Sequence, residues 1–175
     1  MASRITNLLS YGQKRSPRYT SYPTAPHFHE GVNGAVSGDW LDTLDRGKPV
    51  SLYVHVPYCK SLCWYCGCNT RATTQDGPIE AYLKVLLKEL ELVADRLPGR
   101  MRVSHLALGG GTPAILSPDQ MDRLMAAIYD RCEFVEGAEL AIEIDPRHFT
   151  RDDAQALARN GFTRASTGVQ SFDPA

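Results

Sequence analysis

The sequence predicts an α/β fold of parallel strands joined by crossover helices. Two observations carry this. Strand-like and helix-like stretches alternate three times along the chain, and a fourth strand begins near residue 162. The residues least suited to plain packing (a cysteine cluster, a glycine triplet, Glu143 with Asp145, and Gln170) each sit at the carboxyl end of one of those strands. Alternation of this kind implies a parallel sheet with right-handed crossovers. In such sheets, chemistry gathers at the carboxyl ends of the strands.

The elements follow in order. Residues 1–48 read as an irregular N-terminal arm. The stretch Ser16–Pro26 holds three prolines, each fixing φ and removing a donor. Its two tyrosines imply that the arm packs on something. Trp40, Leu41 and Leu44 indicate one short helix before Gly47. The remainder, 49–175, reads as one domain. Ser51–Val56 is an apolar, β-branched run ending at Pro57, expected as a buried strand.

After the cysteine loop, Asp76-Gly77-Pro78 opens a helix. Ile79, Leu83, Leu86, Leu90, Val93 and Leu97 form its apolar face, and Pro98-Gly99 stops it. Val103–Leu108 is a second strand, expected to close at Gly109-Gly110-Gly111. Ser117 to Gln120 is a capping box, with Met121, Leu124, Met125, Ile128 and Cys132 on the helix's apolar face. Leu140–Ile144 is a third strand. Thr150 caps a third helix that Asn160-Gly161 ends. Phe162–Val169 reads as a fourth strand.

Composition narrows the function. Of 175 residues, 43% are apolar and 22% charged, with 19 basic against 20 acidic side chains and a net charge of −1. That balance gives no electrostatic case for nucleic acid or an anionic membrane. No apolar run approaches the roughly 20 residues needed to cross a bilayer, and Met1–Ser10 lacks a signal's apolar core. A cytoplasmic protein is expected. Four of its five cysteines fall between Cys59 and Cys68, and clustered cytosolic thiols bind metal or do redox chemistry. Cys132 stands apart as a small buried side chain.

The strongest signal is Cys59-Lys-Ser-Leu-Cys63-Trp-Tyr-Cys66-Gly-Cys68. Structural zinc prefers ligand pairs separated along the chain, and no second pair follows here. Compact thiolate runs hold iron–sulfur clusters. Three thiolates on a four-iron cluster leave one iron open for chemistry.

C-x3-C-x2-C after a strand resembles the signature of the radical S-adenosylmethionine (SAM) superfamily, and Tyr65 matches the aromatic usual in that loop. Further stretches resemble the oxygen-independent coproporphyrinogen III oxidase branch. These are Arg18–Thr24 (RYTSYPT), Tyr53–Pro57, Cys66-Gly-Cys68, Gly109–Pro113 (GGGTP), Glu143–Arg147 (EIDPR) and Gly168–Phe172. They span the chain from Arg18 onward. Ala114-Ile115 departs from the branch, just beyond the residues expected to face SAM.

The resemblance implies a [4Fe-4S] cluster on Cys59, Cys63 and Cys66, with SAM on the fourth iron. One electron then cleaves SAM to methionine and a 5′-deoxyadenosyl radical. Tyr53, Glu143 and Gly110 match contacts to this SAM. Gly111, Thr112, Tyr65 and Gln170 match contacts to a second SAM. Tyr53 and Cys68 are the catalytic candidates. The implied reaction is oxidative decarboxylation of two propionates of coproporphyrinogen III to vinyl groups, giving protoporphyrinogen IX in anaerobic haem biosynthesis. The tetrapyrrole's carboxylates need cations, for which Arg18 and Arg147 are candidates.

The expected partners are the tetrapyrrole and an electron donor such as a flavodoxin or ferredoxin, with the enzyme a monomer. His55 carries no assigned role. His27, His29, His105 and His148 are expected on the surface or in packing. The resemblance also implies a six-unit (β/α) partial barrel, of which only about three and a half units are legible. The sequence is therefore expected to be a fragment or truncated product, inactive alone. Three alternatives remain: a radical SAM-like haem chaperone, a haem-degrading radical SAM methyltransferase relative, and a non-enzymatic metal-binding module. Cys68 and the RYTSYPT arm argue against the chaperone.

Overall fold

The computed structural model describes residues 23–64 and 66–169. Tyr65, Gln170 and most of the proline-rich arm, Arg18 included, lie outside the described residues. The chain divides into two compact units, Met1–Ser37 and Gly38–Ala175. In the first, a 3₁₀ turn spans Ala25–His27, and the Thr24 hydroxyl lies 2.8 Å from His27 Nδ1. Asn33 Oδ1 accepts from the backbone N–H groups of Ala35 and Val36, capping the start of helix α1 (Gly34–Asp42). The expected short helix thus begins earlier than its apolar residues indicate, at the asparagine able to cap it.

The second unit is a four-stranded parallel sheet in the order β1-β4-β5-β6, comprising Val50–Val56, Met101–Gly110, Cys132–Ile144 and Arg164–Thr167. Helices α2 (Asp76–Arg96), α3 (Pro118–Arg131) and α4 (Arg151–Arg159) connect successive strands. A second, two-stranded ladder pairs β2 (Tyr58–Cys59) with β3 (Arg71–Ala72).

The core lies between the helices and one face of the sheet. Leu83, Leu124, Met125 and Ile128 from the helices meet Val56, Leu106, Leu108 and Ile142 from the strands, and all are at most 1% exposed. Each such side chain contributes about 1.5–3 kcal/mol by leaving water. Between α2 and α3, Gln120 Nε2 donates to Asp76 and Glu80, and Arg123 makes a two-armed pair with Glu80. Arg123 first, then Gln120, holds the Glu80 carboxyl below its ordinary range. The predicted caps form in full. Ser117 and Gln120 exchange both hydrogen bonds of a capping box, as do Thr150 and Asp153. Gly161 closes α4 at φ +80°.

The structure corrects four readings. First, β1 is buried on one face only. Val54 and Val56 are buried, whereas Tyr53 is 58% exposed and His55 half-buried. Period-two alternation puts Tyr53 and His55 on the opposite face from the valines. Second, β4 runs on through Gly110, because Gly109 and Gly110 pair with His55 and Val56 in the ladder. Third, β5 begins at Cys132, well before Leu140. Phe134 pairs with Val103 but Glu139 with His105, so β5 bulges through residues 135–138, where Gly137 sits at φ +74°. Cys132 is buried as expected, but as the extended first residue of β5 and not on the face of α3. Fourth, β6 is shorter than Phe162–Val169 and exposed throughout.

Candidate functional site

The site at the sheet's carboxyl edge is built on the ends of β1, β4, β5 and β6. The cysteine loop leaves β1 at Pro57 and is closed at its base. Arg71 N donates to Pro57 O and Thr73 N to Cys59 O, both at 2.9 Å. Two bonds from the end of β4 hold this base from the other side: Gly111 N to Val56 O at 2.9 Å and Thr112 N to Tyr58 O at 2.7 Å. Within the loop, Cys66 N donates to Cys63 O at 3.1 Å.

The three glycines are explained by their neighbours. A Cβ at Gly109 would lie 3.0 Å from the Tyr53 ring and 3.2 Å from the Glu143 carboxyl carbon. At Gly110 it would lie 2.6 Å from the His55 ring, and φ there is +110°, in the glycine-favouring region. At Gly111 it would lie 2.5 Å from the Tyr58 carbonyl oxygen. Side chains of β1 and β5 therefore cross above the end of β4, and β2 backbone abuts it.

All five cysteines are free thiols. Cys59, Cys63, Cys66 and Cys68 line one cavity of about 690 Å³, together with Gly110, Gly111, Thr112, Glu143, Asp145 and Arg147. Cys59 is buried, and the hydroxyls of Thr70 and Thr112 each lie 3.4 Å from its Sγ, placed to donate to a thiolate. Among the described residues, no three Cys, His, Asp or Glu side chains are gathered as they would be round a single metal ion. The donor set suits a larger group: unpaired thiols on a common cavity wall, with hydroxyls beside the most buried one.

Tyr53, His55 and Glu143 stand over the end of β4. The Tyr53 hydroxyl is 3.0 Å from His55 Nδ1, and His55 Nε2 is 3.1 Å from Asn69 O, within the cysteine loop. Tyr82 donates to the His55 carbonyl at 2.6 Å. Glu143 Oε2 accepts from Gly110 N at 3.2 Å. Partial burial, then Glu143 and Cys68, push the Tyr53 phenol above its ordinary value. Partial burial also raises the Cys68 thiol, followed by its bond with Cys66 and the nearby Cys66, Glu143 and Cys59 charges.

Of the residues singled out in sequence, the structure brings together Tyr53, Cys59, Cys63, Cys66, Cys68, Gly110, Gly111, Thr112 and Glu143. Tyr65 and Gln170 lie outside the described residues. His55 acquires partners that sequence reasoning left unassigned, and the signal was its i, i+2 spacing from Tyr53. Arg147 is bound to Asp145, with a shortest distance of 2.6 Å, and its guanidinium faces the cysteine loop. Among the described residues, His27, His29 and His105 have only local partners.

A family model described as the radical SAM superfamily matches residues 53–175. The oxygen-independent coproporphyrinogen III oxidase of Bradyrhizobium diazoefficiens is 48% identical over 166 residues, 95% of this chain and 37% of the relative. The oxidase of the same description from Paracoccus denitrificans is 46% identical, covering 91% of this chain and 36% of the relative. Among solved structures, coproporphyrinogen III oxidase from Escherichia coli, described as a radical SAM enzyme, superposes with a TM-score of 0.83 at 38% identity. That match covers 96% of this chain and 37% of the other. The chain thus spans a little over a third of the length of the relatives it matches.

Proposed function

Since this chain belongs to the radical SAM superfamily, we propose that it is the cluster- and SAM-binding part of an oxygen-independent coproporphyrinogen III oxidase. The observation that carries the reading is the shared cavity. Cys59, Cys63 and Cys66 line it as free thiols, and the glycine edge of β4 and Glu143 complete its wall. The identity to oxidases across nearly the whole chain supports the choice of reaction.

In this reading Cys59, Cys63 and Cys66 hold a [4Fe-4S] cluster, which supplies the electron that cleaves SAM. Thr70 and Thr112 donate to the Cys59 thiolate. Glu143 is placed to accept from the SAM amine or ribose hydroxyls, with Tyr53 and Gly110 beside it. His55 fixes the Tyr53 hydroxyl and ties it to the loop through Asn69 O. Gly111, Thr112, Tyr65 and Gln170 would serve a second SAM, and Cys68 would order that molecule or the substrate. With cluster and SAM bound, the site would supply a radical able to remove a propionate β-hydrogen from coproporphyrinogen III, and each vinyl group would form as carbon dioxide is released and one electron passes to a one-electron acceptor. The proposal extends to a monomer working in the cytoplasm with a flavodoxin- or ferredoxin-type donor. Among the described residues no helix is long and apolar enough to cross a membrane.

A chimaera tests the function. This chain replaces the matching segment of the Bradyrhizobium oxidase, and the product is assayed anaerobically with SAM, a one-electron reductant and coproporphyrinogen III. Vinyl product with carbon dioxide release is expected. A chimaera that cleaves SAM but releases no carbon dioxide, beside an active parent, would reject the oxidase reading.

A further inference from the structure

Among the described residues, Arg147 is the sole basic side chain lining the cavity. Its position is over-determined. Asp145 Oδ1 accepts from Arg147 Nε at 2.9 Å and from its backbone N–H at 3.0 Å, and Oδ2 accepts from Nη2 at 2.6 Å. The Asp145 side chain is 9% exposed, so water competes weakly for this clamp. With the fork held, Nη2 also reaches the cysteine loop, 3.4 Å from Ser61 O and 3.9 Å from Cys63 Sγ. Thus one guanidinium joins the end of β5 to a thiol 84 positions away in sequence.

We propose that Arg147 is a positioning residue of the cluster loop: fixed by Asp145, it donates to Ser61 O and Cys63 Sγ and makes the reduced cluster easier to form. The inference rests on the cluster reading above. Adding one electron from the reductant places one more negative charge on a group ligated by three thiolates. A cationic donor beside one of those sulfurs stabilises that added charge. Hydrogen bonds to the sulfurs and net local charge are the means by which a protein sets a cluster's potential. Asp145 acts in the opposite sense, since its carboxylate partly neutralises the guanidinium.

Two variants separate this role from simple scaffolding, because both disturb the clamp but change charge in opposite directions. Arg147→Gln removes the cation. Asp145→Asn keeps an acceptor in place while leaving the cation uncompensated. Each protein is reconstituted anaerobically, its iron and sulfide are counted, and its midpoint potential is measured by spectroscopic redox titration without SAM. Arg147→Gln should disfavour reduction about fivefold, ~40 mV more negative at 59 mV per tenfold change. Asp145→Asn should move the potential to more positive values. Potentials that shift together, or an Arg147→Gln value equal to the parent's, would overturn the proposal. Should Arg147→Gln lose its iron, Asp145→Asn decides alone: a rise supports the proposal, and no rise defeats it. A parent chain that takes up no iron would refute the cluster reading itself, a distinct outcome visible before any variant is made.

Discussion

Replacing Gly111 by alanine should loosen the base of the cysteine loop. The added Cβ would stand 2.5 Å from both the Tyr58 carbonyl oxygen and the Thr70 hydroxyl, and 2.8 Å from the Tyr58 carbonyl carbon. Ordinary contact lies about 1 Å further out. Thr70 can rotate aside, but Tyr58 is backbone, paired in β2 and bonded through its oxygen to Thr112 N. The φ of Gly111 is outside the glycine-favouring region, so the cost is contact alone. Forced overpacking of this kind costs about 1–3 kcal/mol. The lower entropy of the unfolded alanine chain returns roughly 0.4–1 kcal/mol, leaving a net loss of about 1.3 kcal/mol when both ranges are taken at their middle. Urea unfolding of the metal-free chain, followed by circular dichroism, should show a midpoint lower by about 0.5–1 M. Gly77→Ala is the control. It sits in the first turn of α2 with nothing near its Cβ direction, and should hold or raise the midpoint. Reconstituted Gly111→Ala should also bind less iron. An unchanged midpoint for Gly111→Ala would refute the steric argument.

Two further outcomes are expected. Anaerobic reconstitution should give about four irons per chain, lost when Cys59, Cys63 or Cys66 becomes alanine but kept in Cys68→Ala; in the chimaera, Cys68→Ala should cleave SAM with sharply reduced carbon dioxide release. Stoichiometric zinc without acid-labile sulfide would sink the cluster, and loss of iron in Cys68→Ala would make that residue a ligand. Glu80 is held below its ordinary range by Arg123 and Gln120, so its folded pKa lies below the unfolded value near 4.3. Its contribution is present above that value and fades as pH falls through the folded pKa. Glu80→Gln should therefore flatten the acid limb of stability against pH, and an acid limb of unaltered slope would show that the pair does not couple to folding.

The fold was legible where local chemistry decides it. Ser117 and Thr150 each announce a helix start because a hydroxyl and a side chain three residues on can satisfy the first free N–H groups by themselves. The long face of α2 was legible for the same kind of reason, although only Ile79 and Leu83 reach full burial and the later leucines lie at the margin. The first half of β5 was not. Glu133, Glu136 and Gly137 interrupt its alternation, and it is recruited into the sheet by pairing with Met101 to Val103 before the bulge. That is a partner's influence, absent from the segment's own pattern.

The same division runs through the site. Four cysteines in ten residues point to a metal group wherever the loop is placed. Arg147 was visible only as a charge, because its reach to Cys63 depends on how β5 and the loop are brought together. The glycine triplet shows most plainly where sequence reading stops. A glycine run after a strand suggests a turn, or a backbone left bare for a ligand. Here the strand continues to Gly110, and the bareness is first demanded by the protein itself: Tyr53 and Glu143 over Gly109, His55 over Gly110, and Tyr58 against Gly111. Removing the side chains of β4 lets the polar face of β1 meet Glu143 across the strand, with Gly110 N free to bind that carboxylate. The glycines thus assemble the cavity wall before any ligand is considered, so a substitution there should disturb the metal-free protein as well as its cofactor binding.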